Sequence, residues 1–351
     1  MKVSIIGGAG FIGCNAAEFY AKKGNEVLII DNLSRKGSES NLKYLQDNYK
    51  SISFLKGDIT QPSFTEELLP GAIKGSELVL HLAAQVAVTT SVTNPREDFN
   101  ANALGTFNVL EAMRKLKEKY NENPVFIYTS TNKVYGKMEH IPVIDKGNEY
   151  DYESIKGIDE NAPLDFYSPY GCSKGTGDQY TRDYARMYGL NTIVMRQSCI
   201  YGKRQFGVED QGWVAWFTIA NVLDIPVTIF GDGKQVRDVL FADDLVNAYE
   251  LARQNISKTR GQVYNIGGGS SNKLSLLNLI SKLEKLSGKK ISPKFAGWRP
   301  GDQKVCIMDI SKAERDFGWK PKISPEEGVS GLYSWIDSNK GEIKRLVFGR
   351  D

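Results

Sequence analysis

Two residues four positions apart on a predicted helix have the chemistry of an acid–base pair. Tyr170 and Lys174 lie in "SPYGCSKGTGDQYTRDYARMYG", a stretch that predicts a helix beginning around Pro169. Their side chains therefore share one face of the helix, about a turn apart. A free tyrosine has a pKa of about 10 and is a poor base at neutral pH. A neighbouring ammonium favours the phenolate and lowers that pKa, so the spacing is typical of a tyrosine that accepts a proton.

A glycine-rich turn near the start of the chain predicts a dinucleotide site. Gly7, Gly10 and Gly13 in "GGAGFIG" lie between a predicted strand and a predicted helix. Their missing Cβ atoms allow a tight turn and let a pyrophosphate approach the helix N-terminus. Asp31 ends the next strand, about 20 residues on, where a carboxylate binds the adenosine ribose diol and repels a 2′-phosphate. NAD is therefore favoured over NADP. Arg35 could receive such a phosphate, but Asp31 should dominate.

The elements that must position these residues alternate between short strands and helices. Strands such as "LVLHLAA", "VFIYTS" and "NTIVMRQS" are separated by helical stretches such as "NALGTFNVLEAMRKLKEK". Such strands need crossover helices and form a parallel sheet. The pattern predicts an α/β fold, namely a Rossmann-type doubly wound parallel sheet with a smaller mixed α/β substrate-binding lobe. We expect an NAD-binding domain in residues 1–202 and 235–266 and the lobe in residues 203–234 and 267–351. The polar stretch 138–164 is expected to be a surface loop near the site.

Composition excludes several other classes of protein. The 351 residues carry a formal net charge of +3 from 45 basic and 42 acidic side chains, mixed along the chain, so a nucleic-acid partner is not expected. Four cysteines without a CxxC pair and only two histidines indicate a reduced compartment and no metal site. No apolar run approaches the ~18 residues of a membrane span. "MKVSII" enters the glycine turn without a signal-peptide pattern. We therefore expect a cytoplasmic protein with no membrane partner.

The glycine turn followed by Tyr170 and Lys174 resembles the nucleotide loop and YxxxK signature of the short-chain dehydrogenase/reductase superfamily. In that superfamily, a serine or threonine at the end of an earlier strand hydrogen-bonds the reacting oxygen, and the lysine also holds the cofactor ribose. Here "YTSTNKVYG" ends such a strand. Comparison with the extended branch places the catalytic hydroxyl on Thr131, with Ser130 as the alternative. The resemblance thus implies a catalytic set of Thr131, Tyr170 and Lys174.

Further stretches resemble the extended branch, whose members mostly modify nucleotide-activated sugars: "HLAAQ", "NALGT", "QVRDVLFADD" and "RPGD". Two sets of contacts follow from this resemblance and from the glycine turn. The cofactor-binding residues are Gly7, Gly10, Phe11, Ile12, Gly13, Asp31, Asn32, Ser34, Arg35, Asp58, Ile59, Leu82, Ala83, Ala84, Asn102, Thr129, Tyr170 and Lys174. The substrate-binding residues are Gln85, Thr131, Asn132, Lys133, Ser198, Arg204, Gln205, Gln211, Arg237, Arg299 and Asp302. In the branch, the arginines matching Arg237 and Arg299 clamp the diphosphate, a role that suits a planar cationic fork.

Two residues after the catalytic hydroxyl separate the reactions within the branch. The 4,6-dehydratases carry "TDE", whose acid and base eliminate water, whereas this chain has Asn132 and Lys133 in "TNK". Dehydration is therefore disfavoured. Together with "SPYGCSKG" and "YGKRQFGVEDQGWVAWF", the stretch resembles the family of CDP-tyvelose (CDP-paratose) 2-epimerases. This resemblance implies an isomerase with NAD that inverts carbon 2 of a CDP-hexose, CDP-paratose to CDP-tyvelose or CDP-glucose to CDP-mannose. The route would run through a transient 2-keto sugar and bound NADH.

Three alternatives use the same fold. A nucleotide-sugar 4-epimerase would need the same three side chains and differ in which hydroxyl faces Tyr170. A net nucleotide-sugar reductase would consume or release the reduced cofactor, and a non-catalytic NAD-sensing protein would need no intact catalytic set. Members of the branch commonly pair through helices. A homodimer or homotetramer is therefore expected, with "FNVLEAMRKLKEK" and the Tyr170 helix as the faces.

Overall fold

The computed structural model describes residues 1–299 and 302–349, which form fifteen strands and fourteen helices. The strands are β1 (Lys2–Ile6), β2 (Glu26–Asp31), β3 (Ile52–Lys56), β4 (Leu78–His81), β5 (Val125–Thr131), β6 (Val143–Asp145), β7 (Tyr150–Tyr152), β8 (Thr192–Gln197), β9 (Cys199–Tyr201), β10 (Thr228–Phe230), β11 (Val236–Phe241), β12 (Val263–Ile266), β13 (Lys273–Ser275), β14 (Lys294–Ala296) and β15 (Val305–Cys306).

The helices connect these strands and cover the sheets. They are α1 (Phe11–Lys22), α2 (Ser38–Asn48), α3 (Leu69–Ile73), α4 (Val88–Thr93), α5 (Pro95–Phe99), α6 (Gly105–Tyr120), α7 (Ser168–Met187), α8 (Trp213–Val222), α9 (Ala242–Gln254), α10 (Ile256–Thr259), α11 (Leu276–Ser287), α12 (Ser311–Phe317), α13 (Pro325–Ser338) and α14 (Lys340–Phe348). Two π-helical turns, Ser63–Leu68 and Asn100–Leu104, precede α3 and α6, and a 3-10 turn, Asn132–Tyr135, follows β5. No helix in this part of the chain is long and apolar enough to cross a membrane.

Seven parallel strands form the central sheet in the order β12–β8–β5–β4–β1–β2–β3. The order reverses at β1, and in such sheets a ligand crevice forms there, beyond the carboxyl ends of the strands. All seven residues of β5 are buried, as expected for a parallel strand whose two faces are both covered. The predicted Rossmann-type doubly wound sheet is confirmed.

Helices cover both faces of this sheet and enclose an apolar cluster on each. Tyr20 of α1, Leu45 of α2 and Tyr249 of α9 pack on one face. Met113 of α6 and Tyr184 of α7 pack on the other. α7 carries Tyr170 and Lys174 and also contacts β5 and β8. Its buried face consists largely of glycines and polar side chains, which bring the catalytic helix close to the strand that ends at Thr131.

A second group of elements forms the smaller lobe. Strands β9, β13 and β15 all pair with β11 in a four-stranded sheet, and β10 pairs with β14. Helices α8, α11 and α13 enclose a separate apolar core together with Ile343 of α14. From the sequence, we expect the chain to return to the NAD-binding domain at residue 235. In the structure, β11 first joins the lobe's sheet. The chain returns to the large sheet with α9 and β12.

Residues 138–164, expected to be a loop, contain the antiparallel hairpin of β6 and β7. Tyr150 Oη donates to Asp232 Oδ2 at 2.5 Å, and Tyr152 Oη donates to the carbonyl oxygen of Val305 at 3.2 Å. Lys273 Nζ pairs with Asp151 Oδ2 at 2.7 Å. The hairpin therefore depends on distant partners, which explains why its three-residue strands leave no periodic pattern in the sequence.

Candidate active site

The glycine turn joins β1 to α1 through two close backbone approaches. Gly7 has φ +84°, and a Cβ atom added there would lie 2.5 Å from the amide nitrogen of Ala83. A Cβ atom on Gly13 would lie 2.2 Å from the carbonyl oxygen of Gly7. Any side chain at either position would displace backbone. The turn thus brings the N-terminus of α1 to the crevice at β1 and β4.

A cavity of about 970 Å³ opens at this turn. It is lined by fourteen of the residues predicted to bind cofactor: Gly7, Gly10, Phe11, Ile12, Gly13, Asp31, Asn32, Ser34, Arg35, Asp58, Ile59, Leu82, Ala83 and Ala84. Four of the predicted substrate residues also line it: Gln85, Arg204, Gln205 and Gln211. Four predicted cofactor residues are not among its lining residues: Thr129 within β5, Asn102 in the π-helical turn before α6, and Tyr170 and Lys174 on α7.

Two carboxylates at strand ends face this cavity. Asp31 accepts hydrogen bonds from the backbone nitrogens of Ala9 and Leu33, at 3.0 and 2.8 Å. Burial raises the pKa of Asp31, and these bonds and Arg35 oppose that rise. Asp58 accepts from Asn32 at 3.0 Å and from the Thr60 nitrogen at 2.9 Å. Burial acts to raise the pKa of Asp58, but these bonds leave it below its usual value.

This cradle fits a dinucleotide. Its glycines admit a pyrophosphate at the start of α1, and the Asp31 carboxylate is held by backbone donors at the position expected for the ribose diol. Arg35 donates a hydrogen bond to Gln211 Oε1 across the cavity, so the segment after β2 contacts the smaller lobe. No group of His, Cys, Asp or Glu that could hold a metal ion occurs within residues 1–299 and 302–349.

Tyr170 and Thr131 meet where α7 begins and β5 ends. Burial raises the pKa of Tyr170 to about 12, contrary to the lowering expected from its spacing to Lys174, and a hydrogen bond with the Thr131 hydroxyl and the charge of Arg35 act against that rise. Ser130, the alternative hydroxyl, donates to Asp178 Oδ2 at 2.7 Å instead. The buried ion pair between Asp178 and Arg196 engages that carboxylate further. The geometry therefore favours Thr131 as the partner of Tyr170.

Lys174 lies one turn further along α7 and is only 3% exposed. Its Nζ lies 4.3 Å from the ring centroid of Tyr128. Burial lowers the pKa of Lys174 to about 7, while Asp178 and Asp98 act to raise it. The Tyr128 ring therefore lies beside the amine, and the charges of two carboxylates favour its ammonium form. His81 also lies near Lys174. Its imidazole stays neutral, because burial and the charge of Lys174 lower its pKa to about 3.

The two residues after Thr131 contact β15 and the loop before it. Asn132 Nδ2 lies 3.2 Å from Cys306 Sγ, and Lys133 Nζ donates to Gln303 Oε1 at 3.2 Å. Burial and the nearby Arg237 lower the pKa of Lys133. Neither side chain is a carboxylate, so these positions lack the acid and base of an elimination.

The two arginines expected at a diphosphate lie on the lobe side. Arg237 donates to Asp302 Oδ1 at 2.5 Å and to the carbonyl oxygen of Gln303 at 2.7 Å. Arg299 pairs with Asp210 at 2.9 Å and stacks on the Phe230 ring at 3.9 Å. The structure thus joins predicted residues Arg237 and Asp302 directly.

Other predicted substrate residues divide into two kinds. Arg204 stacks on Tyr44 at 3.6 Å and pairs with Glu342 of α14 at 3.7 Å. Ser198 donates to Asp238, so both have structural partners. By contrast, Gln85 Oε1 and Gln205 Oε1 are buried without a hydrogen-bond partner in the described part of the chain. Such atoms are available to a ligand.

Sequence reasoning missed two buried residues beside the catalytic set. Asp98 of α5 lies near Tyr170 and Lys174, and Gln303 bonds Lys133, Gly136 and Arg237. Gln303 follows directly after "RPGD", a signal that could have drawn attention to it. Asp98 lies in "PREDF", which reads only as the polar first turn of a helix.

Comparisons with known proteins extend over nearly the whole chain. The family model for GDP-mannose 4,6 dehydratase matches residues 5–332. CDP-paratose 2-epimerase from Salmonella typhi is 45% identical over 346 residues, covering 96% of this chain and 100% of the relative.

Two solved structures show the same architecture. The structure of UDP-glucose 4-epimerase with UDP-glucose from Thermotoga maritima is 31% identical, with a TM-score of 0.82, covering 97% of this chain and 100% of that one. UDP-glucuronic acid 4-epimerase from Bacillus cereus, in complex with UDP-glucuronic acid and NAD, is 28% identical, with a TM-score of 0.82, covering 96% and 99%. The predicted resemblance is confirmed: this chain belongs to the GDP-mannose 4,6-dehydratase family of the extended short-chain dehydrogenase/reductase superfamily, on the side of the CDP-paratose 2-epimerases.

Proposed function

We propose that this chain is an isomerase, an NAD-dependent epimerase that inverts carbon 2 of a CDP-hexose. The single observation that carries this proposal is that Thr131 meets Tyr170 one helical turn before Lys174, with Asn132 and Lys133 where an elimination would need carboxylates. The 45% identity to a CDP-paratose 2-epimerase supports CDP-paratose and CDP-tyvelose as the sugar pair. CDP-glucose and CDP-mannose form the second pair to be tested.

The catalytic residues divide the work of a reversible oxidation. NAD supplies the acceptor and donor of a hydride when it is bound in the cavity at the glycine turn. The Tyr170 phenolate removes the proton of the sugar 2-hydroxyl as the carbon 2 hydrogen leaves with its electron pair, and a 2-keto sugar results. Thr131 donates to the reacting oxygen, and the Lys174 ammonium stabilises the phenolate.

Inversion requires the planar 2-keto sugar to turn before the hydride returns to its opposite face. Arg237 and Arg299 are proposed to hold the diphosphate during this step, because guanidinium groups bind phosphate oxygens in pairs. Tyr170 then returns its proton to the oxygen. The net result is epimerisation without net redox, so the protein should be purified with dinucleotide bound.

Product analysis by NMR tests this function. The purified protein is incubated with CDP-paratose, and separately with CDP-glucose, in deuterated water without added cofactor. We expect inversion at carbon 2 without deuterium at that carbon, because the same hydride returns to the sugar. Tyr170→Phe serves as the control and should leave the substrate unchanged while retaining dinucleotide.

Each other outcome of this experiment contradicts a specific part of the proposal. Inversion at carbon 4 would make the protein a 4-epimerase, like the UDP-glucose 4-epimerase from Thermotoga maritima. Deuterium at carbon 2 would rule out internal return of hydride. Full activity of Tyr170→Phe would refute the assignment of the base.

The two parts of the chain are proposed to bind different ligands. Residues 1–202 and 235–266 would bind NAD, since β12 completes the large sheet and α9 packs on one of its faces. Residues 203–234 and 267–351 would bind the nucleotide sugar, since Arg299, Asp302 and the partnerless Gln205 Oε1 lie there. Within this division, β11 contributes Arg237 to the lobe's sheet.

We further propose a homodimer or homotetramer in the cytoplasm. Apolar side chains on α6 and α7 support the assembly: Phe107 is 40% and Tyr180 46% exposed, and their rings form a T-shaped pair 5.9 Å apart. The four free cysteines support a reducing compartment.

A further inference from the structure

A buried carboxylate that no assigned role uses lies behind the catalytic helix. Asp98, at the end of α5, is 1% exposed. Its Oδ2 accepts from the Ser173 hydroxyl at 2.5 Å, and its Oδ1 accepts from Asn102 Nδ2 at 3.1 Å. Burying a carboxylate is unfavourable unless it is paired and hydrogen-bonded. The buried position of Asp98 therefore calls for a functional explanation.

The partners of Asp98 connect three elements of the site. Ser173 directly precedes Lys174 on α7. Asn102 lies in the π-helical turn Asn100–Leu104, and such turns are frequent at functional sites. Asn102 also accepts from the backbone nitrogen of Gln85 at 2.9 Å and donates to its carbonyl oxygen at 3.0 Å. Asp98 therefore ties the catalytic helix to the cavity segment after β4.

The charges around Lys174 show why a second carboxylate matters. Asp178, on the same helix, is shared with the Arg196 guanidinium at 2.9 Å and with Ser130. From β4 and β5 the lysine meets only neutral groups, the His81 imidazole and the Tyr128 ring. Asp98 is thus the anion near Lys174 that no arginine neutralises among the described residues.

We propose that Asp98 is a positioning residue that keeps Lys174 charged and, through its hydrogen bonds with Ser173 and Asn102, fixes the part of α7 that carries it. This inference rests on the proposed function only for the kinetic readout. Asp98 also faces Tyr170 and acts to raise its pKa. Removing the Asp98 charge therefore lowers the pKa of both catalytic groups.

The signs of these effects give a distinctive pH profile. Lys174 works as the ammonium, and activity is lost on the alkaline side as this ammonium is deprotonated. A lower pKa of Lys174 therefore moves the alkaline limb to lower pH. Tyr170 works as the phenolate, so a lower pKa extends activity on the acidic side. Both limbs of the kcat profile of Asp98→Asn should move to lower pH, by about 1 unit. A purely structural role would lower kcat at every pH without moving the limbs.

The decisive measurement uses the Lys174 charge itself rather than turnover. The protein is labelled with lysine carrying ¹³C at Cε, the Lys174 signal is assigned with Lys174→Arg, and its titration is followed by NMR. We expect the midpoint to fall by about 1 pH unit in Asp98→Asn. Asp98→Ser is measured in the same way, as a second uncharged variant in case Asp98→Asn does not fold. Asp98→Glu should restore the midpoint.

Ser173→Ala is the matched control, since it removes a hydrogen bond to Asp98 and leaves both charges in place. A midpoint that shifts less in this control than in Asp98→Asn supports the proposal. An unshifted Lys174 midpoint in folded Asp98→Asn or Asp98→Ser would overturn it. A shifted midpoint in a protein that epimerises no nucleotide sugar would refute the proposed function and leave the role of Asp98 standing.

Discussion

Two adjacent hydroxyls at the end of β5 have different partners. Ser130 is bonded to Asp178 in the middle of α7, and Thr131 reaches Tyr170 at the start of that helix. Since α7 runs beside β5, one residue along the strand decides whether a hydroxyl joins the buried ion pair or the reacting group. This difference is the basis for separating a structural hydroxyl from a catalytic one.

Replacing each hydroxyl in turn tests this distinction. Thr131→Val should lower kcat by about 100-fold, as for other donors to a reacting oxygen. It should also move the acidic limb of the kcat profile to higher pH, because loss of the hydrogen bond raises the pKa of Tyr170, which reacts as the phenolate. Ser130→Ala should lower the free energy of unfolding by about 1 kcal/mol and leave that limb in place. If Ser130→Ala shows the larger loss in kcat, the assignment is wrong.

At the scale of elements, the glycine turn between β1 and α1 has less conformational freedom than the glycine turn that follows α1. Gly7 combines a positive φ with backbone contact to Ala83, whereas Gly24, which follows α1, has φ +75° and open space around its Cα. Both glycines have a left-handed backbone, but only Gly7 is also in close contact with another backbone segment. Substitutions at the two positions can therefore distinguish backbone strain from steric contact.

Gly7→Ala and Gly24→Ala form a matched pair. Both should lose about 1–3 kcal/mol of stability from the positive φ. Only Gly7→Ala should also lose bound dinucleotide, because its Cβ atom displaces the segment after β4 that lines the cavity. The measurements are the thermal unfolding temperature and the NAD released by denaturation of the purified protein. Full NAD content in Gly7→Ala would contradict the predicted cofactor site.

At the scale of the whole molecule, several exposed apolar side chains lie on α6 and α7. Phe107 on α6, Tyr180 and Met187 on α7, and Tyr188 directly after α7 are 40–69% exposed. Large exposed apolar patches mark interaction surfaces in many proteins. Because α7 carries the catalytic pair at its other end, pairing through this side would join two active sites through one helix layer.

A charge placed on this side should separate the subunits. Phe107→Glu should shift the molecule to the monomer mass in sedimentation velocity, since an unpaired carboxylate would be buried in the interface. Phe295→Glu on β14, where the phenylalanine is 60% exposed, is the control and should keep the assembly. A wild-type protein that is monomeric at micromolar concentration would refute the proposed oligomer.

Features carried by neighbouring residues could be predicted from the sequence. The glycine turn with Asp31, the four-residue spacing of Tyr170 and Lys174, and the alternation of strands and helices all depend on local backbone geometry. That geometry is set by missing Cβ atoms, by helical periodicity and by the reach of a crossover connection. The sheet and the type of cofactor followed from these features, and the family followed from the resemblance of the sequence motifs.

The tertiary structure decided which distant groups meet. It gave Ser130 to Asp178, paired Arg204 with Glu342, placed β11 in the lobe's sheet, and brought Asp98 behind Lys174. None of these contacts leaves a periodic or spaced pattern, because each depends on how separately formed elements pack. The lowered pKa of Lys174 is likewise a property of burial, opposed by carboxylates from two helices, and exists only in the folded chain.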